Sequence, residues 1–329
     1  MKNMRSLRDV LFANPHIDPA RKALMYEGRW RSFETLAARV SSVAAALARE
    51  GVKPGDRVAV LLHNQPEFVE CYFAVMGAGA IMVPLNWRLH AAEHAALLAD
   101  AEPVLMIAAA VYAPTFDRLR AEAPTLRRIL SVGGGGADDF AAWSEPSASP
   151  PNDPGLSRET EAAILYTSGT TSRPKGVVLT HGNYLADFSN CASVVRLDAE
   201  SVNLQVSPLY HAACIHTFFH LAHGGSTILI EKFEPGEALR LIEQEKASYF
   251  FAAPTALYQM MDHPDFGRRD CASLKAISYG AAGISKTRLE EAARAFGPIL
   301  LHAYGMTETT SHASLLCSAD HAVALGSIG

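Results

Sequence analysis

The sequence YTSGTTSRPKGVVLTH occupies residues 166–181, and the flanking apolar runs predict strands at 163–167 and 177–179. Hydroxyl groups and backbone N–H groups donate hydrogen bonds to phosphate oxygens, and lysine adds a positive charge. Glycine lets the backbone approach a phosphate closely. The stretch therefore predicts a polyphosphate-binding loop. Its candidate residues are Thr167, Ser168, Gly169, Thr170, Thr171, Lys175 and Gly176.

The stretch has two other possible interpretations. A Walker A loop needs Gly-x4-Gly-Lys followed by Ser or Thr and a helix, whereas Lys175 is followed by Gly176 and a β-prone run. The chain is therefore not predicted to be a P-loop ATPase. A plain polar hairpin turn is the other interpretation, but turns rarely combine so many hydroxyl groups with a lysine beside a glycine.

Strand and helix patterns alternate on both sides of this stretch, which predicts an α/β fold with parallel sheets covered on both faces. In the first half, a helix pattern after Ser32 is followed by an apolar strand at 57–62 and further alternating segments to residue 108. Residues 133–155 are rich in Gly, Pro, Ser and Asp, which predicts a surface connection between two lobes. We therefore predict two α/β subdomains, at 1–155 and 156–329.

Composition limits the class of protein. Apolar residues make up 49% and charged residues 19%, which is typical of a globular protein, and the net charge is −5. This balance predicts no nucleic-acid partner. No apolar run is long enough to cross a bilayer, so no integral membrane segment is predicted. Five scattered cysteines favour a reducing, cytoplasmic setting over a disulfide framework.

Three further motifs follow the predicted phosphate loop in the sequence. They read SPLYH at 207–211, YGAAG at 279–283 and YGMTET at 304–309. Together with the phosphate loop, they resemble the ordered motifs of the adenylate-forming superfamily, which includes acyl-CoA synthetases, peptide-synthetase adenylation domains and luciferases. Four motifs in one order are far more specific than any of them alone, and the likeness to acyl-CoA synthetases is the strongest.

This resemblance implies a reaction and its co-substrates. A carboxylic acid attacks the α-phosphate of ATP to give an acyl-adenylate and pyrophosphate, and a thiol, usually that of coenzyme A, then takes the acyl group. The loop from Thr167 to Lys175 is expected to hold the β- and γ-phosphates. Thr307 is expected to hydrogen-bond the α-phosphate, and Glu308 to hold Mg²⁺, a cation that prefers oxygen ligands.

The resemblance also assigns the adenine site and the residues nearest the reaction. Tyr304 is expected to stack on adenine, beside the backbone of Gly280, Ala281 and Ala282, with Gly305 next to it. His211 is expected to lie by the reacting carboxylate, and a satisfied core histidine is the less favoured alternative. The predicted catalytic residues are Lys175, His211, Thr307 and Glu308.

Three more histidines lie at helical spacing. His216, His220 and His223 could share one helix face, which makes a zinc site conceivable. However, no acidic residue lies between Ser207 and Ile230, and a location beside the acyl pocket or partly in solvent is the favoured interpretation. An ammonium buried without a counter-charge would be costly. The same acid-free stretch therefore favours a fatty or aryl acid as substrate.

The resemblance leaves several alternatives open. The chain stops at Gly329, whereas the family normally continues through a small β-barrel and a C-terminal domain that carries a further lysine. We therefore expect an N-terminal fragment that is poorly active alone. An adenylation module that loads a carrier protein, and a catalytically incomplete nucleotide- or acyl-binding protein, are the alternatives to a CoA ligase. A homodimer is one open oligomeric state.

Overall fold

The computed structural model describes residues 3–146, 153–167, 175–321, 324 and 327–329. The chain divides into two compact units. The first-sheet unit comprises residues 2–14 and 33–185, and the second-sheet unit comprises residues 15–32 and 186–329, together with residue 1. Each unit is built around one sheet.

The strands follow one another along the chain with helices between most of them. They are β1 (Lys22–Tyr26), β2 (Arg29–Ser32), β3 (Arg57–Leu61), β4 (Ile81–Pro84), β5 (Leu105–Ala109), β6 (Arg128–Val132), β7 (Glu161–Thr167), β8 (Lys175–Thr180), β9 (Val202–Gln205), β10 (Ser226–Leu229), β11 (Tyr249–Ala252), β12 (Ala276–Gly280), β13 (Leu300–Tyr304) and β14 (Ser314–Leu316).

The α-helices lie mostly between consecutive parallel strands. They are α1 (Arg8–Phe12), α2 (Phe33–Arg49), α3 (Pro66–Gly77), α4 (Ala91–Ala101), α5 (Phe116–Glu122), α6 (Phe140–Trp143), α7 (His181–Val194), α8 (Ile215–Ala222), α9 (Pro235–Glu245), α10 (Pro254–Met261) and α11 (Lys286–Phe296).

The first-sheet unit contains a six-stranded sheet in the order β6-β5-β3-β4-β7-β8. All neighbouring strands in it are parallel except β7 and β8, which form an antiparallel edge pair. Strand β3 is almost wholly buried, as its continuous apolar sequence requires for a strand covered on both faces. Helix α2 packs with Leu36, Val40 and Val43 buried, and Gly51 follows it with a φ of +75°.

The second-sheet unit contains an eight-stranded sheet in the order β14-β13-β12-β11-β9-β10-β1-β2. Its central strands are parallel, and the outer pairs β13–β14 and β1–β2 are antiparallel. Helices begin at clear caps: the Glu234 carboxylate accepts two backbone N–H groups ahead of α9, and Ser285 caps α11. The side chains of α9, α10 and α11 form an apolar core with β9, β11 and β12.

The predicted fold class, α/β with two mainly parallel sheets, is confirmed. The division of the chain differs from the predicted boundary between residues 155 and 156, because β7 pairs with β4 and β8 pairs with β7 in the first sheet. Residues 15–32 belong instead with the second sheet, since β1 pairs with β10. A contact more than 200 residues apart in sequence leaves no local pattern.

Among the helices of the described residues, none combines the length and the low polarity that a membrane span requires.

Candidate functional site

The predicted phosphate loop begins and ends at residues that face each other across the β7–β8 pair. Thr167, the last residue of β7, is paired with Lys175, the first residue of β8. The Lys175 side chain is exposed. Ser168, Gly169, Thr170 and Thr171 lie outside the described residues. The strand pair thus brings Thr167 and Lys175 together at the base of the loop.

Gly176 has a packing role at this edge of the sheet. A Cβ at this position would lie 2.7 Å from Cγ2 of Ile164 and 3.4 Å from the Tyr166 ring. The missing side chain therefore makes room for the neighbouring strand. Burial and the adjacent carboxylate of Asp100 raise the pKa of Tyr166, whose hydroxyl donates a hydrogen bond to that carboxylate.

The YGMTET motif lies in the loop that joins β13 to β14 in the second-sheet unit. Tyr304, the last residue of β13, pairs with Ser314, the first residue of β14. Next to this pair, the N–H of Ala313 donates to the carbonyl of Tyr304 at 2.8 Å. A short 3₁₀ turn at Thr307–Thr309 follows. The Thr309 hydroxyl and backbone bond back to Met306, which holds Thr307 and Glu308 in this turn.

Two glycines of the motifs are required by close backbone packing. A Cβ at Gly305 would lie 1.5 Å from the carbonyl oxygen of Ser311, and a Cβ at Gly280 would lie 2.1 Å from that of Ala303. Real Cβ atoms do not approach so closely. Gly280 therefore allows β12 to lie against β13, and Gly305 allows the motif loop to fold back on itself.

These loops line a cavity of about 430 Å³ in the second-sheet unit. This volume lies in the range of small-molecule sites. The wall is mostly apolar, with a few hydroxyl and imidazole groups. The lining residues are Ser207, Pro208, His211, Ala212, Ala213, Phe251, Ala253, Ala281, Ala303, Gly305, Met306, Thr307, Ser311 and His312.

The cavity brings together residues from all three motifs that follow the phosphate loop. His211, Ala281, Gly305 and Thr307 all line it. His211 is exposed, which excludes the alternative of a core histidine. Its ring lies 4.6 Å from that of Tyr210, centroid to centroid.

Other predicted site residues lie next to these lining residues in the chain. Tyr304 is 41% exposed. Glu308 and Ala282 are also exposed, whereas Gly280 is buried at the end of β12. The loops thus present Tyr304, Ala282 and Glu308 at the surface close in sequence to the cavity wall.

The histidines of α8 were predicted to lie beside the acyl pocket or partly in solvent, and the structure excludes the solvent-facing alternative for two of them. His216 and His220 are buried, and burial lowers the pKa of His220 to about 3 and that of His216 well below its ordinary value. The Nδ1 of His220 donates to the carbonyl of His216 at 2.7 Å. Burial lowers the pKa of His223 as well. Within the described ranges, the one group of side chains close enough together to hold a metal ion is Asp187, Cys191 and His312, and it contains none of the α8 histidines.

A cluster that the sequence analysis did not identify lies behind the cavity wall. Asp187 and Cys191, one turn apart on α7, meet His312 from the motif loop. The Nδ1 atom of His312 is 3.2 Å from both carboxylate oxygens of Asp187 and 3.2 Å from Sγ of Cys191. Burial and the adjacent Asp187 carboxylate raise the pKa of the Cys191 thiol. The only sequence signal was the Asp-x3-Cys spacing on one helix face.

Known proteins match this chain along nearly its whole length. A model of the AMP-binding enzyme family matches residues 11–329. Feruloyl-CoA synthase from an Amycolatopsis species is 34% identical over 321 residues, which cover 95% of this chain and 62% of the relative. Indoleacetate–CoA ligase from Aromatoleum aromaticum is 32% identical over 317 residues, with coverage of 95% and 62%. The chain thus spans about three fifths of these relatives.

A solved structure shares the fold over nearly the whole chain. The inhibitor-bound N-terminal domain of FACL13 from Mycobacterium tuberculosis superposes with a TM-score of 0.91 at 27% identity. The superposition covers 99% of this chain and 82% of that one. With the family model matched from residue 11 to the last residue, the chain belongs to the AMP-binding enzyme family.

Proposed function

We propose that the chain is the nucleotide- and acid-binding part of an ATP-dependent carboxylate–CoA ligase. In the first step, a carboxylate oxygen attacks the α-phosphorus of ATP, the bond to the β-phosphate oxygen breaks, and pyrophosphate leaves. In the second step, the thiolate of coenzyme A attacks the acyl carbonyl and AMP leaves. The acid and the phosphate are both anionic, so the site must supply hydrogen-bond donors and positive charge.

One observation carries this proposal: His211 and Thr307 line the same mostly apolar cavity. These residues come from two motifs almost 100 residues apart in sequence. An imidazole and a hydroxyl can each donate a hydrogen bond to an anionic oxygen. A cavity that combines them with alanine and phenylalanine walls suits the junction of an apolar acid and a phosphate.

The motif loop suggests how the nucleotide is held. The Thr307 hydroxyl is proposed to donate to the α-phosphate, because the 3₁₀ turn fixes it at the cavity wall. The exposed ring of Tyr304 is proposed to stack on adenine. The exposed backbone at Ala281 and Ala282, which follow β12, is proposed to run along the edge of the base.

Glu308 is the proposed Mg²⁺ ligand. Its carboxylate is exposed, lies next to Thr307 in the 3₁₀ turn, and makes no ion pair with any residue in the described ranges. A carboxylate oxygen is a suitable Mg²⁺ ligand, so the residue fits the cation. Bound Mg²⁺ would neutralise charge on the phosphates. The chain's contribution is to hold one carboxylate at a fixed place in the loop.

The β7–β8 pair is proposed to hold the β- and γ-phosphates. The paired positions of Thr167 and Lys175 set a hydroxyl and an ammonium group at the base of the loop. An ammonium that faces phosphate oxygens makes a charge-assisted hydrogen bond, which is stronger than a neutral one.

The acid is proposed to be an aryl acid rather than a fatty acid. Phe251 in the cavity wall offers a ring face, and its ring is part of a stack of aromatic side chains with His216. The names of the two relatives, feruloyl-CoA synthase and indoleacetate–CoA ligase, support the same class. Aromatic rings pair favourably in offset or edge-to-face geometry.

The test is calorimetric titration of this chain with AMP, benzoate and the non-hydrolysable analogue benzoyl-sulfamoyl adenosine. Because the analogue carries both groups, we expect it to bind at least about 100-fold more tightly than either part alone. Thr307→Ala should weaken analogue binding about 10-fold, since it removes a hydrogen bond to a charged group. The matched control Thr287→Ala changes an exposed threonine on α11 and should have no effect.

Two outcomes separate this proposal from its alternatives. If ATP and AMP bind but the analogue binds no better than AMP, the chain is a nucleotide-binding protein without an acid site. If the analogue binds and the acyl group is accepted by the pantetheine arm of a carrier protein rather than by coenzyme A, the chain belongs to a carrier-loading module.

A further inference from the structure

The cluster of Asp187, Cys191 and His312 places a held imidazole in the cavity wall. Both oxygens of the Asp187 carboxylate lie 3.2 Å from Nδ1 of His312, and the backbone N–H of His312 donates to the same carboxylate at 3.4 Å. The thiol of Cys191 donates to Asp187 at 3.6 Å. Asp187 is only 4% exposed. Three donors therefore converge on one buried carboxylate.

This arrangement decides which nitrogen of His312 carries the proton. A carboxylate can only accept hydrogen bonds, so the neutral ring places its N–H on Nδ1 and its lone pair on Nε2. Because Nδ1 faces Asp187 and His312 lines the cavity, Nε2 is the ring nitrogen left for a ligand. A neutral His312 thus offers a hydrogen-bond acceptor to whatever fills the cavity.

The neighbouring aromatic rings place His312 on the side of the cavity formed by α8 and β11. Its ring is edge-on to that of His216 at 5.3 Å, and His216 stacks on Phe251 at 4.5 Å. His216 is 1% exposed, and its Nε2 has no hydrogen-bond partner among the described residues. On this side of the cavity, His312 lines the wall and His216 packs directly behind it, and Nε2 of His216 is a buried polar atom without a hydrogen-bond partner among the described residues.

We infer that His312, held by Asp187, accepts a hydrogen bond from a hydroxyl or amino group of the acid substrate, so that the site selects aryl acids with such a donor on the ring. This inference rests on the proposed function. His312 acts as a specificity residue that touches the substrate, and Asp187 is a positioning residue that acts through His312. The Cys191 thiol completes the set of donors around that carboxylate.

The test compares ring-substituted adenylate analogues on this chain. The probes are benzoyl-sulfamoyl adenosine and its 2-, 3- and 4-hydroxy and 2-, 3- and 4-methoxy derivatives, with dissociation constants measured by calorimetry. A hydroxyl can donate, whereas a methoxy oxygen can only accept. At one ring position, we expect the hydroxy derivative to bind about 10-fold more tightly than both the unsubstituted and the methoxy analogues.

Variants separate recognition from a structural role. His312→Phe should remove the preference for the hydroxy derivative. If the phenylalanine variant does not fold, His312→Gln takes its place. Glutamine keeps a hydrogen-bond acceptor, so this variant should retain part of the preference. Asp187→Asn is the sharpest readout: its amide can donate to Nδ1, which moves the ring proton to Nε2. That variant should then prefer the methoxy derivative. The control His16→Phe alters an exposed histidine and should change nothing.

The outcomes distinguish this inference from the proposed function. If every analogue binds equally and tightly, the ligase proposal stands and the inference is wrong. If no analogue binds, the proposed function itself has failed. If the chain instead binds one equivalent of Zn²⁺ tightly, and Cys191→Ala abolishes that binding, the cluster is a metal site, and the inference is overturned.

Discussion

The α-carbon of Gly305 lies directly against the carbonyl oxygen of Ser311, so that a Cβ on Gly305 would be 1.5 Å from that oxygen. This contact closes the loop between β13 and β14. The same loop carries Thr307 and His312 into one cavity wall. A single backbone approach therefore determines the position of both a proposed phosphate ligand and a proposed acid ligand.

Gly305→Ala is expected to disrupt this loop. The added methyl group meets backbone rather than a movable side chain, so the loop must open, and the free energy of unfolding should fall by about 2–3 kcal/mol. Binding of the benzoyl-adenylate analogue should be lost with it. The control is Gly283→Ala, where a Cβ meets nothing within 4 Å. Equal denaturation midpoints for the two variants would contradict the prediction.

Lys175→Ala is expected to weaken ATP binding. Loss of a charge-assisted hydrogen bond to phosphate corresponds to a decrease in affinity of about 10-fold or more. Because salt screens exposed charges, the difference in ATP affinity between wild type and variant should become smaller as ionic strength rises. Lys53→Ala, an exposed lysine of the same unit, is the matched control. If the Lys175 variant binds ATP as tightly as the control variant, the loop does not bind the phosphates through Lys175.

Glu308→Gln is expected to reduce the effect of Mg²⁺ on ATP binding. The carboxylate is a stronger Mg²⁺ ligand than the amide, so the gain in affinity on adding Mg²⁺ should shrink by about 10-fold. Without Mg²⁺, the variant should bind ATP at least as well as wild type, because one negative charge is removed. Titrations with and without Mg²⁺ test this, with Glu290→Gln on α11 as control. An unchanged Mg²⁺ effect would exclude Glu308 as the ligand.

The buried histidines are expected to make the fold sensitive to acid. Burial lowers the pKa of His220 to about 3 and that of His181 to about 4, whereas an unfolded histidine titrates near about 6.5. The unfolded chain therefore takes up protons first as the pH falls below about 6.5. The contribution of these neutral histidines to the free energy of unfolding is fully present above about pH 6.5. Below that pH, each of them lowers the free energy of unfolding by about 1.4 kcal/mol per pH unit.

Urea denaturation between pH 7.5 and pH 5 measures this slope. His220→Gln cannot be protonated, so its stability should fall less steeply with pH than that of wild type. Phe219→Leu removes buried volume next to His220 but keeps the imidazole, so it should lower stability at every pH and keep the wild-type slope. Parallel slopes for His220→Gln and wild type would show that this histidine does not cause the acid sensitivity.

Much of the fold could be predicted from local patterns. The apolar spacing in α2 and the continuous apolar run in β3 match the structure closely, since both signals depend on residues near one another in sequence. The β1–β2 hairpin was missed, although Glu27 and Gly28 form its turn with positive φ at both residues. Its main partner is β10, which no pattern near residue 24 could indicate.

The predicted site residues that share a cavity are those that belong to known motifs. His211 and Thr307 were predicted and share one cavity. For His216 and His220 the sequence left two locations open, beside the acyl pocket or partly in solvent, because helical spacing does not reveal which face a helix buries; both side chains are buried. Asp187 and Cys191 were missed because their partner, His312, lies more than 100 residues away. Asp187 and Cys191 become buried beside His312 only when the chain is folded, so no pattern in the sequence indicates the cluster.

The pairing of β1 with β10 also sets an order for folding during synthesis. Leu24 lies beside Thr227, so β1 leaves the ribosome about 200 residues before its partner exists. At about 5–20 residues per second, this delay is roughly 10–40 s. The first sheet, whose strands all lie between residues 57 and 180, can form within that interval. The apolar Leu24–Met25 segment can pair with β2 during this interval, but the edge of β1 that receives β10 stays unpaired until β10 has been made.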